Sequence, residues 1–249
     1  MLKEERQHYI LNHLKTFNRV YITSLSEELS VSDDTLRRDL VELDNKGLLT
    51  KVHGGAIAKS SISFEFTDRL NTDMTSKQEM ASKVIPLFRP GDVLLIDGGT
   101  SNLEVARQIP VDLKMTIYTN SFPIVNVLLN HPNLDILFLG GKIFPSSQVT
   151  VGLSVFQMLQ TIRPDWLVLG VCSIHPQLGL TDPHREESMV KRIMIERAQK
   201  RIILADSHKL NTAEPYCIGS LGDIDYLVVE NSKTEYLKQN WKGLTCNIL

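Results

Sequence analysis

Two groups of residues in this 249-residue chain have types and spacings suited to chemistry. The first is Ser32-Asp33-Asp34-Thr35-Leu36-Arg37-Arg38-Asp39-Leu40. On a helix, Leu36, Leu40 and Leu43 fall on one apolar face, and Thr35, Arg37 and Arg38 project away from it. A guanidinium can donate two hydrogen bonds to guanine O6 and N7 or bind phosphate, and Ser and Thr hydroxyls suit phosphates or base edges. That chemistry is the reading of DNA, with Ser32, Thr35, Arg37 and Arg38 as contacts and Lys51 and His53 touching backbone or minor groove. A plainer role competes with it. Arg38 has Asp34 four residues before it and Glu42 four after, and such pairs can be mere surface ion pairs.

The second group is four polar or glycine-rich segments that each follow an apolar run. Asp97-Gly98-Gly99-Thr100-Ser101-Asn102 combines glycines that let backbone N–H groups converge on an anion with hydroxyl donors and a helix start. Thr119-Asn120-Ser121 is the second. Gly140-Gly141-Lys142 offers a lysine as a point charge for phosphate. Ala205-Asp206-Ser207-His208-Lys209 brings another cation. Neither the G-x-x-x-x-G-K-[ST] spacing of a P-loop nor G-x-G-x-x-G is present. Each segment alone is explained by a capped turn. Four at the same end of one sheet point to a pocket, because open α/β sheets bind ligands outside the carboxyl ends of their strands.

The elements that must position these residues follow two grammars. In residues 1–57, Ile10, Leu11, Leu14 and Phe17 mark a first helix. Thr23 and Ser24 are capping candidates for a second helix carrying Leu25 and Leu29. Val31 sits in a tight turn, Ser32 caps a third helix, and Gly47 ends it. Leu48 to Val52 reads as a strand before a Gly54-Gly55 turn. Helix, helix, turn, helix and a two-stranded wing is the layout of a winged helix-turn-helix, whose third helix enters the major groove. Residues 58–75 are polar, contain Ser60, Ser61 and Ser63, and read as a linker. From 76 to 249 strands alternate with helices. Strands are expected at 92–96, 115–118, 135–139, 166–169, 201–205 and 226–229, and helices at 77–88, 101–109, 122–130, 153–162, 185–199 and 232–239. Near-continuous apolar strands predict a parallel sheet covered on both faces, a doubly wound α/β domain. The fold class is thus a multidomain α+β chain, a small DNA reader joined to a larger α/β domain.

Composition narrows the classes further. The chain is 42% hydrophobic, which excludes wholesale disorder, and no apolar run approaches the ~18–20 residues that span a bilayer. No leader segment opens it. Cys172, Cys217 and Cys246 have neither C-x-x-C spacing nor an even count, so a disulfide framework and a zinc knuckle are both unsupported. A reduced cytoplasmic protein that neither enters a membrane nor carries a cofactor or metal is expected. Net charge is −2, from 27 Lys+Arg and 29 Asp+Glu. Residues 1–60 hold 9 of each sign, so DNA binding is expected to rest on a few placed contacts and oligomerisation rather than on bulk charge.

The run V-S-D-D-T-L-R-R-D-L, followed by L-x-x-x-G-L-L-T-K-V-H-G-G-A, strongly resembles the DNA-binding signature of the DeoR family of bacterial transcriptional regulators over residues 3–57. Leu36 stands where Ile is usual. Residues 76–240 resemble that family's effector-sensing domain through D-G-G-T-S, T-N-S, L-G-G-K, D-W-L-V-L-G, G-L-T-D and A-D-S-H-K. That domain looks related to the ribose-5-phosphate isomerase and CoA-transferase folds. The resemblance implies a repressor of a carbohydrate operon, a homodimer or homotetramer on double-stranded operator DNA, whose affinity a phosphorylated sugar modulates. The effector residues it carries over are Asp97, Gly98, Gly99, Thr100, Ser101, Asn120, Gly140, Gly141, Lys142, Asp206 and Lys209. Glu187 and Lys191 are weaker candidates, since an i, i+4 ion pair on an exposed face also explains them. The segment Gly170 to His175 is less glycine-rich than usual, and Glu230-Asn231 replaces the family's Thr-Asp.

Two rival readings use other residues. An isomerase needs a carboxylate base, and Glu186 or Glu187 could serve, but Cys172, Ser173 and His175 stand where the isomerases carry acidic groups. A CoA-transferase needs a nucleophilic glutamate, and Glu230-Asn231-Ser232 resembles its motif with Lys233 in place of a glycine. A redox or metal sensor could use Cys172 and His175, yet no third ligand has a recognisable spacing.

Overall fold

The computed structural model describes residues 1–17, 19–58, 65–241 and 244–249. The linker serines Ser60, Ser61 and Ser63 lie outside the described residues. The reader is built from α1 (Lys3–Phe17), β1 (Arg19–Tyr21), α2 (Ile22–Leu29), α3 (Asp33–Asn45), β2 (Leu49–Val52) and β3 (Gly55–Ala58). The apolar stripes read from the sequence converge except at Phe17, which lies outside their cluster and faces the junction with the larger unit. Ile10, Leu14, Leu25, Leu36, Leu40, Leu43 and Leu49 form one buried cluster.

Three local features refine the expected layout. The wing has three antiparallel strands in the order β1-β3-β2, because Arg19–Tyr21 adds to the edge of β3. A strand of three residues is too short to show an alternation. Gly55 is required there, since a Cβ would lie 1.9 Å from the Val20 carbonyl oxygen. Finally, α2 starts at Ile22 with no side-chain cap, so Thr23 and Ser24 lie inside its first turn instead of capping it.

The larger unit opens with α4 (Phe66–Arg69) and α5 (Met74–Val84), within and just after the segment expected to be a linker. Phe66 is buried with Met80 and Val84, so this polar-looking stretch is anchored by one aromatic side chain. There follow β4 (Val93–Ile96), α6 (Thr100–Arg107), β5 (Met115–Thr119), α7 (Phe122–Leu128) and β6 (Leu134–Phe138). A hairpin of β7 (Lys142–Phe144) and β8 (Val149–Val151) leads to α8 (Leu153–Gln160) and β9 (Trp166–Gly170). Next come β10 (Ser173–His175), β11 (Gly179–Asp182), α9 (Arg185–Arg197), β12 (Lys200–Leu204), β13 (Tyr216–Gly219), β14 (Tyr226–Val228), α10 (Asn231–Asn240) and β15 (Asn247–Ile248).

The main sheet is parallel with seven strands ordered β15-β14-β12-β9-β4-β5-β6. Its strands alternate strictly between two cores. Leu94, Ile96, Val168, Ile202 and Val228 face α5, α6 and α7, while Leu95, Leu167, Leu169, Ile203 and Leu227 face α8, α9 and α10. From β4 the chain runs outward through β5 and β6, then returns to the other side of β4 to begin β9. The gap between the ends of β4 and β9 is therefore the topological switch point, where ligands of such sheets sit. A small antiparallel sheet, β10-β11-β13, lies beyond it. The sequence reading did not include β7, β8, β10, β11, β13 or β15, all of which are short.

Candidate DNA-reading face and ligand cleft

Ser32 is the N-cap of α3, its side chain accepting from the Thr35 N–H at 3.4 Å, and the Ser32 and Thr35 hydroxyls share a 2.9 Å hydrogen bond. Asp33 and Asp34 in the first turn oppose the positive end of the helix. The inner face is fixed by Leu36, Leu40 and Leu43, and by Asp39, which is buried against Arg6 and Gln7. Arg37 and Arg38 consequently face solvent. Arg37 pairs with Asp34 at 3.0 Å, both side chains being well exposed. Arg38 makes none of the ion pairs its neighbours offered. Glu42 is engaged by Lys3 and Lys46, and among the described residues Arg38 has no carboxylate partner. Arg37 shares one surface groove with Lys51, Val52 and His53 of the wing, and the next groove holds Arg38, Val41 and Asn45. A backbone hydrogen bond from Lys51 N to Asp44 Oδ1, 3.3 Å, ties the wing to α3. All six expected DNA contacts thus lie on or beside one exposed face, with Ser32 and Thr35 at its helix-start end.

The second site lies at the switch point. Gly98 and Gly99 of the β4–α6 turn and Thr100, Ser101 and Asn102 at the start of α6 face Gly170 at the end of β9 and Val171 and Cys172 just after it, closed by Arg69, Ser147, Glu187, Lys191 and Lys209. Gly99 takes φ +111°, a conformation only glycine holds without strain, as α6 begins. Asn102 pins the turn by donating to the carbonyls of Asp97 and Gly98, both at 2.9 Å. A Cβ on Gly170 would come within 3.0 Å of the Gly98 oxygen, so this position too must be small. Ser101 Oγ is buried and has no hydrogen-bond partner among the described residues, a donor left for something that enters.

Beneath the turn is a buried ionic cluster. Lys191 Nζ lies 2.7 Å from Asp182 Oδ2 and 3.8 Å from Asp97 Oδ2. Burial pushes the Asp97 carboxyl up to about 7 despite the nearby Lys191. Burial works against ionised Asp182 as well, but Lys191 and His184 hold it well below the usual carboxylate range. Burial also works against charged Lys191, which Asp182 and Asp97 nevertheless hold well above its ordinary value. Hydrogen bonding to Asp182 and Glu187 raises His184 to about 9. Glu187 accepts from the Ser147 hydroxyl at 2.8 Å.

On the opposite wall Lys209 pairs with Asp206 at 3.1 Å. Buried Lys77 donates to the Arg69 carbonyl, and burial followed by the Lys209 charge lowers its pKa. Two lysines and an arginine, with the Glu187 carboxylate among them, therefore line a cleft at the start of α6, and Lys77 lies behind Arg69. That is the donor set of an anion site.

The structure does not gather every residue expected at this cleft. Gly98, Gly99, Thr100, Ser101 and Lys209 line it, while Asp97 and Asp206 lie behind it and hold Lys191 and Lys209. Asn120 is buried and donates to the Thr150 carbonyl at 3.0 Å, bracing the β5 end. Gly140, Gly141 and Lys142 are not among the lining residues. Gly141 is there for packing, since a Cβ would meet the Val151 carbonyl oxygen at 2.7 Å, and Lys142 reaches outward to Glu186 at 2.7 Å. The expected surface pair Glu187–Lys191 is also corrected. Both residues are buried, and Lys191 binds Asp182 instead. Their signal was present: charges at 187 and 191 interrupt the stripe continued by Met194 and Ala198, and buried charge on an apolar face marks a site. Arg69, Lys77 and Asp182 were not singled out from the sequence.

Residues serving the rival readings are occupied otherwise. Burial raises the Cys172 thiol far above its ordinary value, and its Sγ lies 3.7 Å from Asp182, not against His175. His175 Nδ1 accepts from the N–H groups of Gln177 and Leu178. Glu230 accepts from Ser207 N at 3.1 Å. Asp182, His184 and Glu187 come within 4.8 Å of one another, a possible ligand trio, but Lys191 already neutralises its most buried member. No helix among the described residues is long and apolar enough to cross a membrane.

Comparison with known proteins agrees with both halves. Residues 6–62 match the DeoR-like helix-turn-helix domain, and residues 72–231 match the DeoR C terminal sensor domain. The HTH-type transcriptional repressor GlcR of Bacillus subtilis is 33% identical over 92% of this chain and 89% of its own length. The HTH-type transcriptional regulator GlpR of Haloferax volcanii is 30% identical over 93% and 91%, and a putative aga operon transcriptional repressor of Escherichia coli O157:H7 is 31% identical over 91% and 86%. A solved ribose 5-phosphate isomerase from Methanocaldococcus jannaschii aligns over 54% of this chain and 53% of its own at 14% identity and TM-score 0.40. With both of its domains matched, the chain belongs to the DeoR family of DNA-binding transcriptional regulators.

Proposed function

We propose that this regulator is a repressor of a carbohydrate-metabolism operon, released from its operator when a phosphorylated sugar or related metabolite enters the cleft at the β4–β9 switch point. The observation that carries the reading is the cleft itself: the N-terminal end of α6 and an unpartnered, buried Ser101 hydroxyl share it with Lys191 and Lys209. A phosphate accepts from the Ser101 hydroxyl and competes with Asp206 for Lys209. The names of relatives, among them a repressor and an operon repressor, support the same direction.

The cleft as it stands is narrow, with about 30 Å³ inside. Sugar-sized sites run to ~300 Å³ or more, so a sugar phosphate must part the walls carrying Arg69 and Lys209. A ligand that binds only the opened state shifts the equilibrium toward it, and coupling of this kind amounts to ~1–3 kcal/mol. On the DNA side, α3 enters the major groove with Arg37 and Arg38 leading, and Lys51 and His53 of the wing follow the backbone. A cytoplasmic homodimer or homotetramer would place two such helices on repeated half-sites. The cleft is read as a sensor that does not turn its ligand over: Glu186 is not among its lining residues and reaches out to Lys142, and Glu187 accepts from Ser147.

The test is a mobility-shift titration on the promoter nearest the gene, with inorganic phosphate and a panel of free and phosphorylated sugars. A phosphorylated compound should weaken operator binding at a concentration where its unphosphorylated parent does nothing. If every compound leaves affinity unchanged, the effector reading fails.

A further inference from the structure

The reader and the sensor touch without sharing a core. The buried cluster of the reader contains no residue beyond Ala58, and neither sensor cluster contains one before Phe66. Between them lies a solvent-open cleft of about 440 Å³, lined by Phe17, Tyr21 and Leu25 from one side and Leu178, Ala213 and Pro215 from the other. A junction holding this much empty space is not clamped by close packing.

Among the described residues, polar contacts cross the junction at two residues of the sensor. Ala213 N–H donates to the Thr16 carbonyl at the end of α1. Arg19 Nη2 lies 2.7 Å from Glu214 Oε2, and the Glu214 side chain is entirely buried.

Both residues end a short segment that begins in the ligand cleft. Lys209 lines the cleft, and its carbonyl accepts from Thr212 Oγ1 at 2.8 Å. Glu214 N–H then donates to Thr181 Oγ1 at 2.8 Å. Thr181 precedes Asp182, the partner of Lys191 under the cleft floor. Two covalent and hydrogen-bonded routes from the cleft thus meet at Glu214, one along 209–214 and one through β11.

We propose that residues 209–214 are a strap that transmits cleft occupancy to the DNA reader, with the Arg19–Glu214 ion pair as its terminal link. The proposal rests on the reading that an anionic ligand binds the cleft. Such a ligand draws Lys209 away from Asp206, and the strap carries that shift to Ala213 and Glu214. The reader turns in response into the adjoining solvent-open cleft, changing the presentation of α3. A directional ion pair with its carboxylate buried suits this role because it has discrete made and broken states, whereas an apolar contact would slip.

The experiment measures two quantities on the full chain: binding of a phosphorylated sugar, by calorimetry, and operator Kd with and without that sugar. Inorganic phosphate and a panel of pentose, hexose and triose phosphates are the probes. In the wild type a bound probe should change operator Kd about fivefold or more. In Arg19→Gln and Glu214→Gln the same probe should still bind, and the operator should still bind, but the change in Kd should fall below about twofold. Coupling as large as wild type in Arg19→Gln overturns the strap. Failure of every probe to bind the wild type is a different result, and it sinks the anion-site reading instead. In that event Lys209→Gln is compared in wild-type and Arg19→Gln backgrounds. The strap predicts that it alters operator Kd only when Arg19 is present, and an equal effect in both overturns it. Retained operator binding by Arg19→Gln shows that the variant is folded.

Discussion

Lys191 and Asp182 meet at 2.7 Å with almost no solvent access, one from the middle of α9 and the other from the end of β11. The pair joins the main parallel sheet's cleft to the small antiparallel sheet beside it. Removing one partner leaves the other charged and buried. Lys191→Ala is therefore expected to destabilise the sensor by about 3–5 kcal/mol, measured by urea unfolding followed with tryptophan fluorescence. A change of under ~1 kcal/mol would show that the cluster is far better hydrated than its burial implies.

Arg37 and Arg38 project from α3 without supporting its core, so their loss should separate binding from folding. Arg37→Ala with Arg38→Ala should abolish the operator footprint while shifting stability by no more than ~0.5 kcal/mol. Lys51→Ala should act more gently, lowering the slope of log affinity against log salt by about 1. A protected footprint in the double variant would move the DNA contacts elsewhere.

The pH dependence of stability follows from two raised groups. Asp97 is held up to about 7 against an ordinary 3.8, so its contribution is full below pH 3.8 and lost as pH rises through 7. His184 is held up to about 9 against 6.5, so its contribution is full below pH 6.5 and lost as pH rises through 9. Unfolding midpoints of the wild type should decline across both windows. Asp97→Asn should flatten the first decline and His184→Asn the second. Parallel curves for all three proteins would contradict the assignments.

The separate cores predict separate melting. Leu40 is fully buried in the reader and remote from the sensor clusters. Leu40→Ala should cost the reader about 2–5 kcal/mol. Calorimetry should show its transition moving down while the sensor's stays within a degree or so, and sugar-phosphate binding should survive. Loss of both transitions together would mean that the two units fold as one.

Much of this architecture is legible in the chain because its signals are local and repeated. The leucine stripe of α3 fixes which side Arg37 and Arg38 occupy. The apolar runs of β4, β9 and β12 announce a covered parallel sheet, and Asp97 to Asn102 reads as a βα turn before any fold is known. Less was visible where meaning depends on distant partners. Lys191 looked like half of an i, i+4 pair until Asp182 was brought beneath it. Lys142 looked like a phosphate ligand because it follows two glycines, but the β7–β8 hairpin turns it outward. Arg69 was hidden in a polar stretch whose anchoring side chains, Phe66 and the partly buried Leu70, carry no period. Strands of two to four residues, such as β1, β10 and β15, are too short for alternation to accumulate.

The division of the molecule into cores that share no side chain has a bearing on how such regulators diversify. Operator preference is carried on one side of the junction and metabolite preference on the other. Among the described residues, Thr16 and Arg19 against Ala213 and Glu214 carry polar contacts between them. A hybrid that keeps those four should respond to one relative's metabolite at another relative's promoter. Lineages could acquire new pairings of signal and target by recombining at residues 59–64, without rebuilding either half.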